Sequence, residues 1–246
     1  MRNLKVKIAY NGSAYHGFQL QDNGNSIQAE IHKALRRLLY ENIGIFGCSR
    51  TDTGVHAKEF YFNFHTKNKI PCDGFLQGMN TLLPSDIVVL SCEEADEGFH
   101  ARFDAKEKTY EYLILNSKLK DPFLNNLAFH YPYKLDASEM NEHIQAFVGE
   151  HDFRAFCKAE TIPKLSTTVR EVFWGKAFRE NDFVKIQISG SGFLHNMVRI
   201  IVGTLIYAQQ GKYSFKDLEQ VVAGKNRSNA GITAPAHGLY LLKVIY

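Results

Sequence analysis

Apolar and polar positions alternate from Leu4 to Tyr10: Leu4, Val6, Ile8 and Tyr10 are separated by Lys5, Lys7 and Ala9, the two-residue period of a strand. Asn11-Gly12-Ser13 breaks that pattern, and a glycine-dotted loop runs on to Asn25. Ser26 is a fitting N-cap for a helix through about Tyr40, whose Ile27, Ile31, Leu35, Leu38 and Leu39 make one apolar face. The runs 43–48 and 57–66 predict two strands. A short helix follows around 73–83, stopped by Pro84-Ser85-Asp86, and then a strand over 87–90.

The second half opens at Lys108 with a strand in which Tyr110, Tyr112 and Ile114 share a face. The stretch 121–133 reads as irregular. Asp136, with Glu139 three residues on, makes a capping-box start for a helix carrying Met140, Ile144, Phe147 and Val148, ended by Gly149. Strands are predicted over 168–178 and 183–188, helices over about 194–210 and 214–223, and a final strand over 238–246. Each half thus runs strand, helix, strands. The expectation is an α+β fold of two similar α/β halves, 1–105 and 106–246, sharing a mostly antiparallel central sheet with helices packed on it.

Composition narrows the class without naming a function. The 246 residues, 45% hydrophobic and 13% aromatic, suit a globular chain with a sizeable core. Net charge is only 29 − 26 = +3, which permits a nucleic-acid partner without requiring one. Cys48, Cys72, Cys92 and Cys157 are widely spaced, with no C-x-x-C pair, so a zinc site is not expected and reduced thiols are. The N-terminus lacks a signal-peptide pattern and no apolar run is long enough to span a bilayer, so a cytoplasmic protein without membrane contact is expected.

The chemistry concentrates in Ser49-Arg50-Thr51-Asp52-Thr53-Gly54-Val55-His56-Ala57. Arg50 and Asp52 lie two positions apart, on one side of an extended segment, and a neighbouring cation favours an ionised acid. An ionised, positioned and partly dried carboxylate serves as nucleophile or general base. A polar hairpin turn, with Thr51 and Asp52 bonding nearby amides, would account for the same letters.

Other candidates are softer. Tyr15, His16 and Phe18 would suit base stacking or local packing. His32, Lys33, Arg36 and Arg37 give the first helix a basic face, fit for phosphates or for solvent. Ser189-Gly190-Ser191-Gly192-Phe193-Leu194 resembles a phosphate loop opening a helix but lacks the full dinucleotide and P-loop patterns. Arg199 sits on a largely apolar helix, either snorkelling to water or reaching the acid. An aspartyl-phosphate reading of Asp52 lacks the acidic cluster that would hold its metal.

Taken together these segments resemble the TruA family of tRNA pseudouridine synthases over nearly the whole chain. The resemblance rests on Tyr10-Asn11-Gly12-Ser13, His16-Gly17-Phe18-Gln19, Ser26-Ile27-Gln28, Arg50 through Ala57 and Met79 through Pro84. It continues through Phe99 through Phe103, Lys108 through Tyr112, Gly149 through Phe153, Phe193 through Arg199 and Thr233 through Leu241, in that order. It implies the pseudouridine synthase fold and an isomerase that detaches uracil from ribose and rejoins it through carbon. The substrate would be tRNA uridines at positions 38, 39 and 40 of the anticodon stem-loop.

Asp52 would be the catalytic carboxylate, attacking sugar or base or removing a ribose proton, with Arg50 and Arg199 as the cations that hold it ionised. Tyr110 would stack on the target base and assist the last deprotonation. Arg36, Arg37 and His56 would bind the RNA. No cofactor or metal is implied, and a homodimer gripping one tRNA is. Ser49 and Phe18 stand where the family usually has glycine and tryptophan. That leaves room for the same reaction on another RNA such as ribosomal RNA; a catalytically silent RNA-binding protein is the further alternative.

Overall fold

The computed structural model describes residues 1–22 and 24–246; Asn23, within the glycine-dotted loop, lies outside the described residues. In chain order the elements are β1 (Arg2–Tyr10), α1 (Ile27–Leu39), β2 (Phe46–Gly47), β3 (His56–Thr66), α2 (Cys72–Leu82) and β4 (Ile87–Ala95). Then follow β5 (Glu107–Leu115), β6 (Phe129–His130), α3 (Ala137–His143), β7 (Gly149–Asp152), β8 (Val169–Glu180), β9 (Phe183–Gly190), α4 (Met197–Gln209), α5 (Phe215–Gly224) and β10 (Leu239–Ile245). The fold is α+β, with antiparallel pairs throughout except the parallel pair β5–β6 among the registers described. The chain forms two compact units, Met1–Lys106 with Leu241–Tyr246, and Glu107–Tyr240.

In the first unit the strands run β4-β1-β3-β10, with the short β2 on β3. The β1–β3 register sets Leu4, Val6 and Ile8 opposite Phe64, Phe62 and Phe60, all fully buried. Each such side chain contributes about 1.5–3 kcal/mol on burial. Phe75 of α2 brings its ring within 5.6 Å of Phe64. Asn80 of α2 clasps β4, donating to the Val89 carbonyl and accepting its N–H. Helix α1 starts where the sequence predicts: Ser26 caps it by accepting the Ala29 N–H, and Tyr40 closes it in the left-handed region at φ 56°.

In the second unit the order is β5-β9-β8-β7, with β6 beside β5. Tyr112, Ile114, Val184, Ile186 and Ile188 are fully buried. Helix α4 is buried nearly all round, and Gly203 explains how it packs so closely: a methyl there would lie 1.9 Å from the Ile232 carbonyl oxygen. No helix among the described residues is long and apolar enough to cross a membrane.

Several expectations need correction. The strand over 43–48 is only Phe46–Gly47, set opposite Asn63 and Phe62 of β3, with the Cys48 N–H still donating to the Tyr61 carbonyl; Gly47 lies against the Phe18 ring, 2.5 Å from where a methyl would sit. The strand over 87–90 extends to Ala95. The stretch 121–133 holds a 3₁₀ turn (Pro122–Leu124) and the short β6. The helix after Asp136 is capped as expected but ends at His143, passing into a 3₁₀ turn over Ile144–Phe147.

The last correction bears on function. Ser189 and Gly190 still belong to β9, and helix α4 begins only at Met197, after Asn196 in the left-handed region. The 189–194 stretch is therefore not a helix N-terminus, and the phosphate seat read there has no physical basis.

Candidate active site

In the first unit the acidic loop is held by its backbone. The Val55 N–H donates to the Asp52 carbonyl, closing a turn whose Gly54 takes φ +78°. The Gly54 N–H donates to the Tyr15 carbonyl, and the Phe18 N–H to the Thr51 carbonyl. Thr51 Oγ1 shares a buried 2.8 Å hydrogen bond with the Tyr10 hydroxyl. The 12–18 loop lies hard against this turn: a methyl on Gly12 would sit 1.9 Å from the Val55 oxygen, and one on Gly17, already at φ +86°, 2.5 Å from the Thr51 oxygen. Glycine is required at both.

Tyr15 and Phe18 are buried, so local packing, not base stacking, is their part. The Phe18 ring stacks on Phe60 at 4.2 Å. The Tyr15 hydroxyl donates to Asp86 at 2.6 Å; burial first, and that bond second, push the phenol well above its ordinary pKa.

His56 is buried, and its Nδ1 accepts the Gly12 N–H at 3.1 Å. The ring thus braces the loop that lies on the acidic turn. Asp52 is half-buried. Arg50 is exposed and makes no hydrogen bond or ion pair among the described residues. Arg36 and Arg37 are exposed on α1; Arg36 reaches Asn42 at 3.3 Å, and neither forms an ion pair among the described residues.

In the second unit Tyr110 on β5 is paired with Ile188 and buried, with Phe193 meeting it edge-on at 5.2 Å and 83°. Arg199 of α4 donates through Nε to the Ala234 carbonyl at 2.8 Å and through a terminal nitrogen to Asn196 Oδ1 at 2.9 Å, and its own carbonyl accepts the Ala234 N–H. The next residue, Pro235, takes a 2.7 Å hydrogen bond from Tyr112. Burial lowers the His237 pKa, and the Arg199 charge lowers it further, so this imidazole is held neutral.

Sequence reasoning singled out Tyr110 and Arg199 but not Phe193, Asn196 or His237 as their neighbours. Asn196 could have been found, since it stands three residues before Arg199 at the helix start. Phe193 and His237 could not, because they arrive from a loop and from a short 3₁₀ turn over Ala236–Gly238. Among the described residues no group of three His, Cys, Asp or Glu side chains is arranged to hold a metal ion.

An ordered loop presenting one half-buried carboxylate, and a helix presenting one fully directed guanidinium, are then matched by relatedness over the whole chain. The chain is 45% identical to tRNA pseudouridine synthase A of Ruminiclostridium cellulolyticum over 247 aligned residues, covering all of both chains. The chain belongs to the tRNA pseudouridine synthase family. A model of that family matches residues 143–246. Identity to the tRNA pseudouridine synthase A proteins of Thermoanaerobacter sp. and Brevibacillus brevis is 43% and 42%, again over the full length of each. A relative in Clostridium perfringens, 41% identical, bears the name tRNA pseudouridine synthase A 2. As a pseudouridine synthase the chain is an isomerase, and its α+β architecture is that of the family.

Proposed function

We propose that this pseudouridine synthase converts uridine to pseudouridine in the anticodon stem-loop of tRNA, at positions 38, 39 and 40, with Asp52 as the catalytic carboxylate. The observation that carries the reading is the Asp52 turn. Its backbone is fixed by hydrogen bonds from Phe18 and Gly54 and by two glycine approaches, while the carboxylate itself remains half-open to solvent. A group so positioned has lost its conformational freedom before substrate arrives.

In the reaction the bond from ribose C1′ to uracil N1 breaks, a bond from C1′ to C5 forms, and the C5 proton leaves to solvent as N1 gains one. The atoms balance without an oxidant, reductant or co-substrate, so no cofactor is assigned. Asp52 acts on the nucleoside as nucleophile or as base. Tyr110 stacks on the target base, which must first leave its helical stack at a cost of a few kcal/mol; an aromatic face returns about 1–3 kcal/mol. Its immobilisation between β9 and Phe193 supports that part.

Arg199 and Arg50 are assigned as the cations that favour the ionised acid, and the exposed Arg50, without an ion pair among the described residues, offers its charge to RNA as well. Arg36 and Arg37 contact the RNA backbone, which positions without reading sequence. The part assigned to His56 in substrate binding is exerted through the Gly12 loop it braces. A homodimer in the cytoplasm completes the reading; the four free cysteines fit a reducing compartment.

The test is tritium release from tRNA transcripts labelled at uracil C5, with wild type and Asp52→Asn side by side. Release by wild type alone, mapped to the anticodon stem-loop, supports both reaction and residue. Release from ribosomal RNA and not from tRNA would reassign the substrate, and turnover retained by Asp52→Asn would remove the carboxylate from its role.

A further inference from the structure

The segment Phe99-His100-Ala101-Arg102-Phe103 is left unused by this reading, yet its construction is costly. It follows β4 and is pinned from beneath by buried amides. Asn3 Nδ2 donates to the carbonyls of Asp96 and Phe99 at 2.9 Å. Asn63 donates to Asn3 Oδ1 and to the Phe99 carbonyl, and its Oδ1 accepts the Ala101 N–H at 2.8 Å. The Tyr246 hydroxyl donates to the Ala101 carbonyl at 2.8 Å, and Ala101 is fully buried. His100 is tied in turn: its N–H donates to Asp104 and its Nδ1 accepts the Arg102 N–H. With Nδ1 accepting, the proton of the neutral ring lies on Nε2.

What this rigid base holds up is apolar. Phe103 is 75% exposed and Phe46, on β2, 45% exposed, with His100 between them. Ring centroids are 4.9 Å apart from Phe46 to His100 and 4.3 Å from His100 to Phe103. The Arg102 guanidinium lies 5.8 Å from the Phe103 ring centre and forms no ion pair among the described residues. An exposed phenylalanine on a mobile loop needs no explanation. One carried on an imidazole and a second phenylalanine, over a satisfied buried network, is a preformed surface for another flat ring.

We propose that Phe46, His100 and Phe103 form a stacking platform for an unpaired base of the RNA other than the target uridine, with Arg102 meeting an adjacent phosphate. The proposal rests on the pseudouridine synthase reading for its partner. Charge decides that partner: a free guanidinium beside the outermost ring complements a nucleotide, whose flat base and anionic phosphate lie one sugar apart. Base–aromatic stacking is tolerant of base identity, so the platform adds grip and register without specificity for one base.

The test compares wild type, Phe103→Ala, Phe103→Trp and Arg102→Gln for binding of an unmodified tRNA transcript across a salt series, with tritium release at saturating RNA. Phe103 is mostly outside the core, so its removal leaves the melting temperature unchanged. The expected result for Phe103→Ala is RNA binding weakened about 5- to 100-fold with release at saturation unchanged, and Phe103→Trp restoring affinity. Arg102→Gln should reduce the dependence of log K on log salt by about one phosphate contact.

Binding by Phe103→Ala equal to wild type overturns the platform. A change in subunit association with RNA affinity untouched overturns it too, in favour of a protein contact. Wild type that binds the transcript but releases no tritium defeats the reaction assigned above and leaves the platform to be judged on binding alone.

Discussion

The Asp52 turn and the Arg199 helix solve the same problem by opposite means. Asp52 is placed through the main chain of its turn: bonds from Val55 and Phe18, a buried Tyr10–Thr51 contact beneath, and glycines that let a second loop lie within contact distance. Arg199 is placed largely by its side chain, with Nε on the Ala234 carbonyl and a terminal nitrogen on Asn196. The difference teaches which substitutions separate chemistry from folding. A group held by its backbone can lose its function and keep its structure; a group held by its own donors cannot change identity without loosening what it binds.

The largest effect expected follows from the first half of that contrast. Asp52→Asn is isosteric and removes no backbone contact, so turnover should fall by about 10²–10⁴-fold or more while melting temperature and RNA affinity stay put. A marked drop in stability would break the comparison. Arg199→Lys keeps the charge but not the fork. Hydrogen bonds of charged groups contribute about 1.5–3 kcal/mol, so turnover should fall about ten- to a hundredfold, with a measurable loss of thermal stability. Unchanged melting would mean the guanidinium contacts carry no structural weight.

Glycine substitutions sharpen the contrast at lower amplitude. Gly12→Ala drives a methyl into the Val55 carbonyl and Gly203→Ala drives one into that of Ile232. Each should cost about 1–3 kcal/mol in denaturant unfolding. Gly12→Ala should also depress turnover at temperatures where the protein remains folded, because the displaced atoms belong to the Asp52 turn.

The smallest effect is one of pH. Burial pushes the Tyr240 phenol up to about 12, with the Glu111 charge adding to the rise. The unfolded chain therefore releases this proton near pH 10 while the folded one keeps it. Stability is full below pH 10 and falls as pH rises from about 10 to about 12. Tyr240→Phe should flatten part of that fall in a pH series of urea midpoints; an identical slope would remove Tyr240 as its source.

Helix α1 was legible because its apolar spacing and its Ser26 cap are local properties, and the strand alternation of β1 and β9 was legible for the same reason. The turn after Thr51 was legible through its letters as a polar turn with Gly54 in it, and its chemistry is a proposal. What failed depended on contacts distant in sequence. The run 43–48 has strand-like letters, but which of them pair is set by β3, where Phe46 and Gly47 meet Asn63 and Phe62. The 189–194 stretch looked like a loop entering a helix. Yet Gly190 stays in β9, pressed against the Glu171 carbonyl, and the Ser191 N–H bonds that same oxygen. The meeting of Phe46 with His100 is likewise invisible to any local window, which is why a motif with no evident chemistry became a surface only in three dimensions.

Strand β10 has a consequence for the order of folding. The unit that carries Asp52 comprises residues 1–106 and 241–246, so its sheet takes a strand from a segment more than a hundred positions further along the chain. Strand β3 keeps an unpaired edge, and Ala101 an unmet carbonyl, until that distant segment docks. Closing so long a loop costs entropy before its contacts form, so the sheet of the aspartate-bearing unit is completed by a slow, non-local step.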